Sequence, residues 1–200
     1  MTNSCHTEIE LYNPGYFVGL AIKNCPNFKF LKVQNIKNLN LRKFSPREID
    51  TNSKLIKHIA KNCEKFEGLD IKEEIGDLSK DALEMLIEKR KNTLRILKLY
   101  AGKNIKDDFL SKIPLCTKLE QFALHNAYEI GPIALAAIAK LRQLRSLEIS
   151  QLMEDKGFKP KDLVNLFADK NMEFLEKLSL VGTPAPVIQD EVCTYFEIEL

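Results

Sequence analysis

No stretch of this sequence approaches the roughly 20 apolar residues that a membrane-spanning helix needs. The first residues, MTNSCHTEIELYNPG, are polar and partly acidic, with no basic segment leading into an apolar one, so they do not read as a secretory signal. No Asn-x-Ser/Thr acceptor occurs. A surplus of one charge is missing too: 30 basic and 28 acidic side chains leave a formal +2. A nucleic-acid binder usually concentrates a basic excess, and none is present here. Glycine is sparse, with 8 in the chain, and none stands in the spacing of a phosphate-binding loop. The five cysteines (Cys5, Cys25, Cys63, Cys116 and Cys193) contain no CxxC pair, and His6, His58 and His125 are scattered. That spacing argues against a zinc site, and the odd count suits reduced thiols in the cytoplasm or nucleus. Together the absences predict no metal, no cofactor, no nucleic-acid partner and no membrane association.

What is present is a repeat. Apolar residues make up 44% of the 200 residues, enough for one domain with a continuous core. An apolar-x-x-apolar-x-apolar pattern recurs six times: Phe28/Leu31/Val33, Phe66/Leu69/Ile71, Leu94/Leu97/Leu99, Leu119/Phe122/Leu124, Leu144/Leu147/Ile149 and Leu175/Leu178/Leu180. The starts are 38, 28, 25, 25 and 31 residues apart. Each hexapeptide alternates as a half-buried strand does, with Leu97 and Leu99 turned inward and Lys98 outward. Between strands the spacing becomes helical, as in Leu83, Leu86 and Ile87, or Ile133, Ala137 and Ile138. Ser79 suits a helix N-cap and Pro160 a first helical turn.

One strand and one helix cannot bury a core alone, so such units must stack. The expected fold is α/β: a leucine-rich-repeat solenoid of about six repeats, with a curved parallel sheet and helices on its convex side. It forms one domain over residues 1–200, with a tail at 1–15, repeats over 16–182 and a cap at 183–200. Polar stretches at Asn35–Ser53 and Gln151–Pro160 are expected to loop out. Cys25, Cys63 and Cys116 each stand three residues before a strand motif, where other units carry Lys91, Leu141 and Met172. That slot predicts small buried hydrophobes at the helix-to-strand turn rather than reactive thiols. The leucine-rich pattern also places Asn or Cys three residues after the second inner strand residue. This chain has Ile36, Glu74, Gly102, Ala127, Leu152 and Thr183 there, which predicts irregular turns.

The segments LAIKNCPNFKFLKV (Leu20 to Val33) and IKHIAKNCEKFEGLDI (Ile56 to Ile71) resemble the cysteine-containing repeats of F-box/LRR proteins. The resemblance implies target recognition in a cullin-based (SCF) ubiquitin ligase, where an F-box docks an adaptor and the repeats hold the protein to be degraded. No F-box-like segment stands ahead of the repeats. The chain is therefore expected to bind an adaptor only through an F-box lying outside it. An F-box-less scaffold or inhibitor is the rival reading. A regulator of a GTPase is another, although such proteins have repeats of about 28–29 residues, longer than the 25-residue intervals here.

No catalytic constellation is visible. Glu73-Glu74 and Asp107-Asp108 are adjacent pairs whose side chains diverge, and His58 reads as a surface residue of a helix. The chain is expected to be a non-enzymatic, monomeric binding module. Its binding residues are those between and just after the inner strand positions: Lys32, Gln34, Asp70, Lys72, Lys98, Tyr100, His125, Glu148 and Ser150. Their mixed signs suit a protein partner better than a phosphate backbone. Tyr100 and His125 should be cross-strand neighbours beside the small Ala123, with Tyr100 the main anchor.

Overall fold

The computed structural model describes residues 8–12, 29–34, 51–71, 79–100, 105–152 and 172–182. Among these residues seven strands form one parallel sheet in sequence order. They are β1 (Glu8–Tyr12), β2 (Phe30–Gln34), β3 (Gly68–Ile71), β4 (Ile96–Tyr100), β5 (Gln121–His125), β6 (Ser146–Ser150) and β7 (Lys177–Val181). The helices among the described residues are α1 (Thr51–Asn62), α2 (Lys80–Arg90), α3 (Asp107–Leu110) and α4 (Pro132–Ile138), with a 3-10 turn at Ile113–Leu115. Parallel neighbours in sequence order need a crossover between each pair, and such crossovers are right-handed as a rule. Consistent with this, α1 packs on α2 and α3 on α4.

The six motifs correspond to β2 through β7. The strand motif was not the whole of the sheet, however. Residues 8–12, expected within a polar tail, are a strand whose Ile9 and Leu11 stand opposite Leu31 and Val33. EIELY carries the period-two alternation of a strand, but its flanking polarity hides it. Thr51, Asn52 and Ser53, expected in a loop, open α1 instead, and Ser53 is fully buried. Its hydroxyl accepts the Ser79 backbone N–H at 2.8 Å. Asp107 does the same for the next pair of helices, accepting the Gly131 N–H at 2.7 Å. Ser79 caps α2 as its sequence suggests, accepting the Ala82 N–H. Lys72, Glu73-Glu74 and Pro160 lie outside the described residues.

Inner strand residues and helix stripes make one continuous core. Leu97, Leu99, Phe122, Leu124, Leu147 and Ile149 meet Leu83, Leu86, Ile87, Phe109, Leu135 and Ile138 there. Each such side chain contributes about 1.5–3 kcal/mol by leaving water. Ile133, read as part of a helical stripe, is a correction: it is 64% exposed, and Ala134 and Leu135 supply the buried face of α4. The buried face of α4 is centred on Ala134 and Ile138, four residues apart, which leaves Ile133 to one side of it.

The cysteine slot is buried at Cys63, Cys116, Leu141 and Met172. Burial pushes the Cys116 thiol up to about 12, so it stays protonated. Cys5, Cys25 and Cys193 lie outside the described residues. At Lys91 the slot is shifted. Phe66, Leu119 and Leu144 each donate to the carbonyl three residues back, whereas Leu94 reaches four back to Arg90. The turn is one residue longer, so Arg90 is buried and Lys91 is exposed. Both Nε and Nη2 of Arg90 donate to the Ala60 carbonyl, at 3.1 and 2.7 Å. That carbonyl belongs to the last turn of α1, where helix carbonyls lack intrahelical partners.

The turns that leave β5, β6 and β7 are regular, against expectation. Each strand is followed by one left-handed residue: Asn126 (φ 56°), Gln151 (φ 61°) and Gly182 (φ 65°). The next residues, Ala127 and Leu152, are fully buried, so an apolar side chain fills that position in both turns. The Ala127 N–H still reaches across, to the Ser150 carbonyl at 2.8 Å. Gly182 takes the left-handed backbone without a Cβ penalty.

On the helical layer, Glu84 accepts from Lys112 at 2.6 Å and lies 3.5 Å from Lys80, which also pairs with Asp108. The hydrogen bond from Lys112 holds the Glu84 carboxyl below its ordinary 4.5. A carboxyl depressed on folding stabilises the native state above its unfolded value and loses that effect as pH falls through the folded value. Glu84→Gln should therefore cost about 0.5–1 kcal/mol at pH 7. At pH 3 the difference in thermal stability between variant and parent should shrink toward zero. An equal gap at both pH values would remove the ionised Glu84 from the account.

Candidate functional site

The strands leave a second face opposite the core. β4 and β6 alternate between buried and half-buried residues, so one side of each packs inward and the other remains partly open. Parallel register lines the outward residues into rows. One row runs Lys32, Asp70, Lys98, Ala123, Glu148 and Ser179. A second row runs Phe30, Gly68, Ile96, Gln121, Ser146 and Lys177. At the strand ends, Tyr100 stands opposite His125 and Ser150 opposite Val181.

The expected binding residues fall on this face unevenly. Lys98, Tyr100, His125, Glu148 and Ser150 are half-buried. Lys32 and Gln34 hold their register positions in β2. Asp70, expected at the solvent surface, is only 5% exposed, and this corrects the reading. Its Oδ1 has no hydrogen-bond partner among the described residues, although Lys98 stands opposite in the register. Ala123 is buried as well, because a methyl group between longer neighbours is overshadowed by them.

Tyr100 and His125 are cross-strand neighbours as expected, and each has a further role. The Tyr100 hydroxyl accepts a hydrogen bond from Asn126 Nδ2. The Asn126 backbone N–H donates to Ser150 Oγ at 3.2 Å. Tyr100 and Ser150 thus grip the left-handed residue from the two strands flanking β5, and they fix the rim of the face. His125 Nδ1 lies 3.6 Å from Glu148 Oε1, a loose contact that becomes an ion pair when the ring is protonated. His125 Nε2 is buried without a partner among the described residues.

The row that starts at Phe30 was missed. A Cβ placed on Gly68 would lie 2.5 and 2.8 Å from two Phe30 ring carbons and 3.1 Å from Ile96 Cβ. The missing side chain lets the ring lie across β3 toward Ile96, giving a small apolar patch beside Asp70 and Lys98. Extending the strand alternation one residue upstream of Leu31, Leu69 and Leu97 would have found it. Asn126 carried no sequence signal beyond its tolerance of left-handed backbone.

The face therefore combines an apolar patch, an aromatic rim, mixed charge and small side chains. Among the described residues no cluster of potential ligands could hold a metal ion, and no helix is long and apolar enough to cross a membrane. The groups on this face offer hydrogen bonding, charge pairing and apolar contact. Fold and face define an α/β protein whose parallel sheet stacks in chain order around a one-sided core. No protein-family model and no curated protein matches the chain.

Proposed function

We propose that the chain is a leucine-rich-repeat solenoid that binds another protein on the open face of its sheet, without catalysis. The observation that carries this reading is the two-sidedness of the strands. One side is committed to the core, while the other holds half-buried Lys98, Tyr100, His125, Glu148 and Ser150 in register. Aromatic and mixed-charge side chains on a rigid sheet suit a protein epitope, because their positions are fixed before binding. The resemblance of Leu20–Val33 and Ile56–Ile71 to F-box/LRR repeats supports a narrower reading, target recognition for a cullin-based ubiquitin ligase in the cytoplasm or nucleus.

Pulldowns from cell extract with the chain and with Tyr100→Ala test both levels. Tyr100→Ala should weaken the target at least tenfold, or about 1.4 kcal/mol. Because Tyr100 also grips Asn126, Tyr100→Phe is the control: it loses the hydroxyl contact and keeps the ring. Retained binding in Tyr100→Phe with loss in Tyr100→Ala would assign the effect to the ring. Equal recovery of every partner by all three proteins would take Tyr100 out of the binding site. The narrower reading predicts that the captured target becomes more abundant in cells when cullin ligases are inhibited. A target whose level does not respond would favour a scaffold.

A further inference from the structure

The residue immediately before each of strands β2 to β7 is charged, and the sign alternates without exception: Lys29, Glu67, Arg95, Glu120, Arg145, Glu176. Ion pairs close every other interface of the row. Lys29 Nζ donates to Glu67 at 2.8 Å, Arg95 pairs with Glu120, and Arg145 pairs with Glu176. The backbone at these positions is equally regular. The carbonyls of Lys29, Glu67, Arg95, Glu120 and Arg145 each accept two N–H groups from the next unit. The position is thus one repeat-equivalent site, seen six times, at the edge where the chain enters the sheet.

Exposed pairs of this kind contribute little to stability, so stability alone is a weak reason for strict alternation. A sequential parallel sheet has a different problem. All its strands share one apolar pattern, so β3 could in principle pair with β5 and leave a unit out. Alternation answers that problem. Adjacent units always bring opposite charges together, while every skip of one unit brings like charges together: Lys29 with Arg95, Glu67 with Glu120, Arg95 with Arg145, Glu120 with Glu176. Like charges directly opposite on paired strands are unfavourable. We propose that this charge row is an ordering device, which fixes the sequence in which the units stack as the chain folds. It is independent of what the open face binds.

Three variants of unchanged net charge test the proposal. The double variant E67R/R145E changes the row to three positive charges followed by three negative ones. Skips between positions 67 and 120, and between 95 and 145, then become attractive. The sixfold inversion K29E/E67K/R95E/E120R/R145E/E176R keeps the alternation with every sign reversed. Each protein is refolded from denaturant at about 10 mM salt, where charges act over about 30 Å, and at 1 M, where they act over about 3 Å. Native yield is read from circular dichroism together with monomeric elution.

At low salt the double variant should return at most half the native yield of the parent, and 1 M salt should close the gap. The inversion should refold like the parent at both salts. The neutral variant E67Q/R145Q has no like-charged neighbours, and it should also refold in near-parental yield. Equal yields of double variant and parent at low salt would overturn the proposal. So would an equal loss in the inversion or in E67Q/R145Q, since either would assign the effect to lost pairs rather than to order. A double variant that stays unfolded in 1 M salt would overturn it as well.

Discussion

Cys63→Asp should destabilise the folded chain by about 3–5 kcal/mol at pH 7, a large share of the roughly 5–15 kcal/mol that ordinarily holds a domain folded. Cys63 is 1% exposed and closes the turn between α1 and β3, with its N–H on Ile59 and its carbonyl accepting from Phe66. A carboxylate in that slot would lose its water, and the buried Arg90 guanidinium of the next unit already directs two donors at the Ala60 carbonyl. Volume is not the issue, since aspartate is close to cysteine in size. Cys63→Ala should therefore cost only about 1–2 kcal/mol, the loss of one buried sulfur. The charge has a signature. Burial raises the introduced carboxyl above its unfolded value, so the penalty is greatest at neutral pH and shrinks as pH falls through the raised value. Urea titrations of the two variants at pH 7 and pH 5 measure this. Equal destabilisation by alanine and aspartate would mean that the slot is not sealed.

The second large effect is expected at Arg90. Its guanidinium is buried, and two of its donors converge on the Ala60 carbonyl at 3.1 and 2.7 Å. Removing it leaves a buried helix-end carbonyl without a donor and takes away a long aliphatic stem. Arg90→Ala should cost about 2–4 kcal/mol, and Arg90→Met, which keeps the stem, about 1–3. Arg90→Lys should not restore the parent, because a single ammonium cannot reproduce the paired geometry of the guanidinium. Denaturant midpoints of the three variants decide the matter. Parental stability in Arg90→Met would show that the stem, and not the hydrogen bonds, holds α1 to α2.

The parallel α/β arrangement was legible because its cause is periodic. Inner strand residues at Leu97/Leu99, Phe122/Leu124 and Leu147/Ile149 recur, and any chain that buries them must line up the strands. β1 was not legible, since five residues of EIELY amid polar neighbours make no pattern until β2 lies beside them. The longer turn at Arg90 escaped for a similar reason: a one-residue insertion leaves the apolar spacing intact and moves only which side chain fills the slot. On the open face, the strand alternation identified which positions turn outward. It could not show that Asp70 and Ala123 are covered, because accessibility depends on the lengths of side chains from adjacent strands. Nor could it show Asn126 between Tyr100 and Ser150, a contact that exists only across three strands.

The most direct test of the open face as the binding surface is site-specific photo-crosslinking in cells. A photoreactive amino acid is placed at His125 on the open face, or at Glu88, which is exposed on the outer side of α2. If the face binds a protein, irradiation of the His125 variant should give a discrete heavier adduct containing one recurring partner. The Glu88 variant should give none. Adducts of the same partner at equal yield from both positions, or from Glu88 alone, would contradict it.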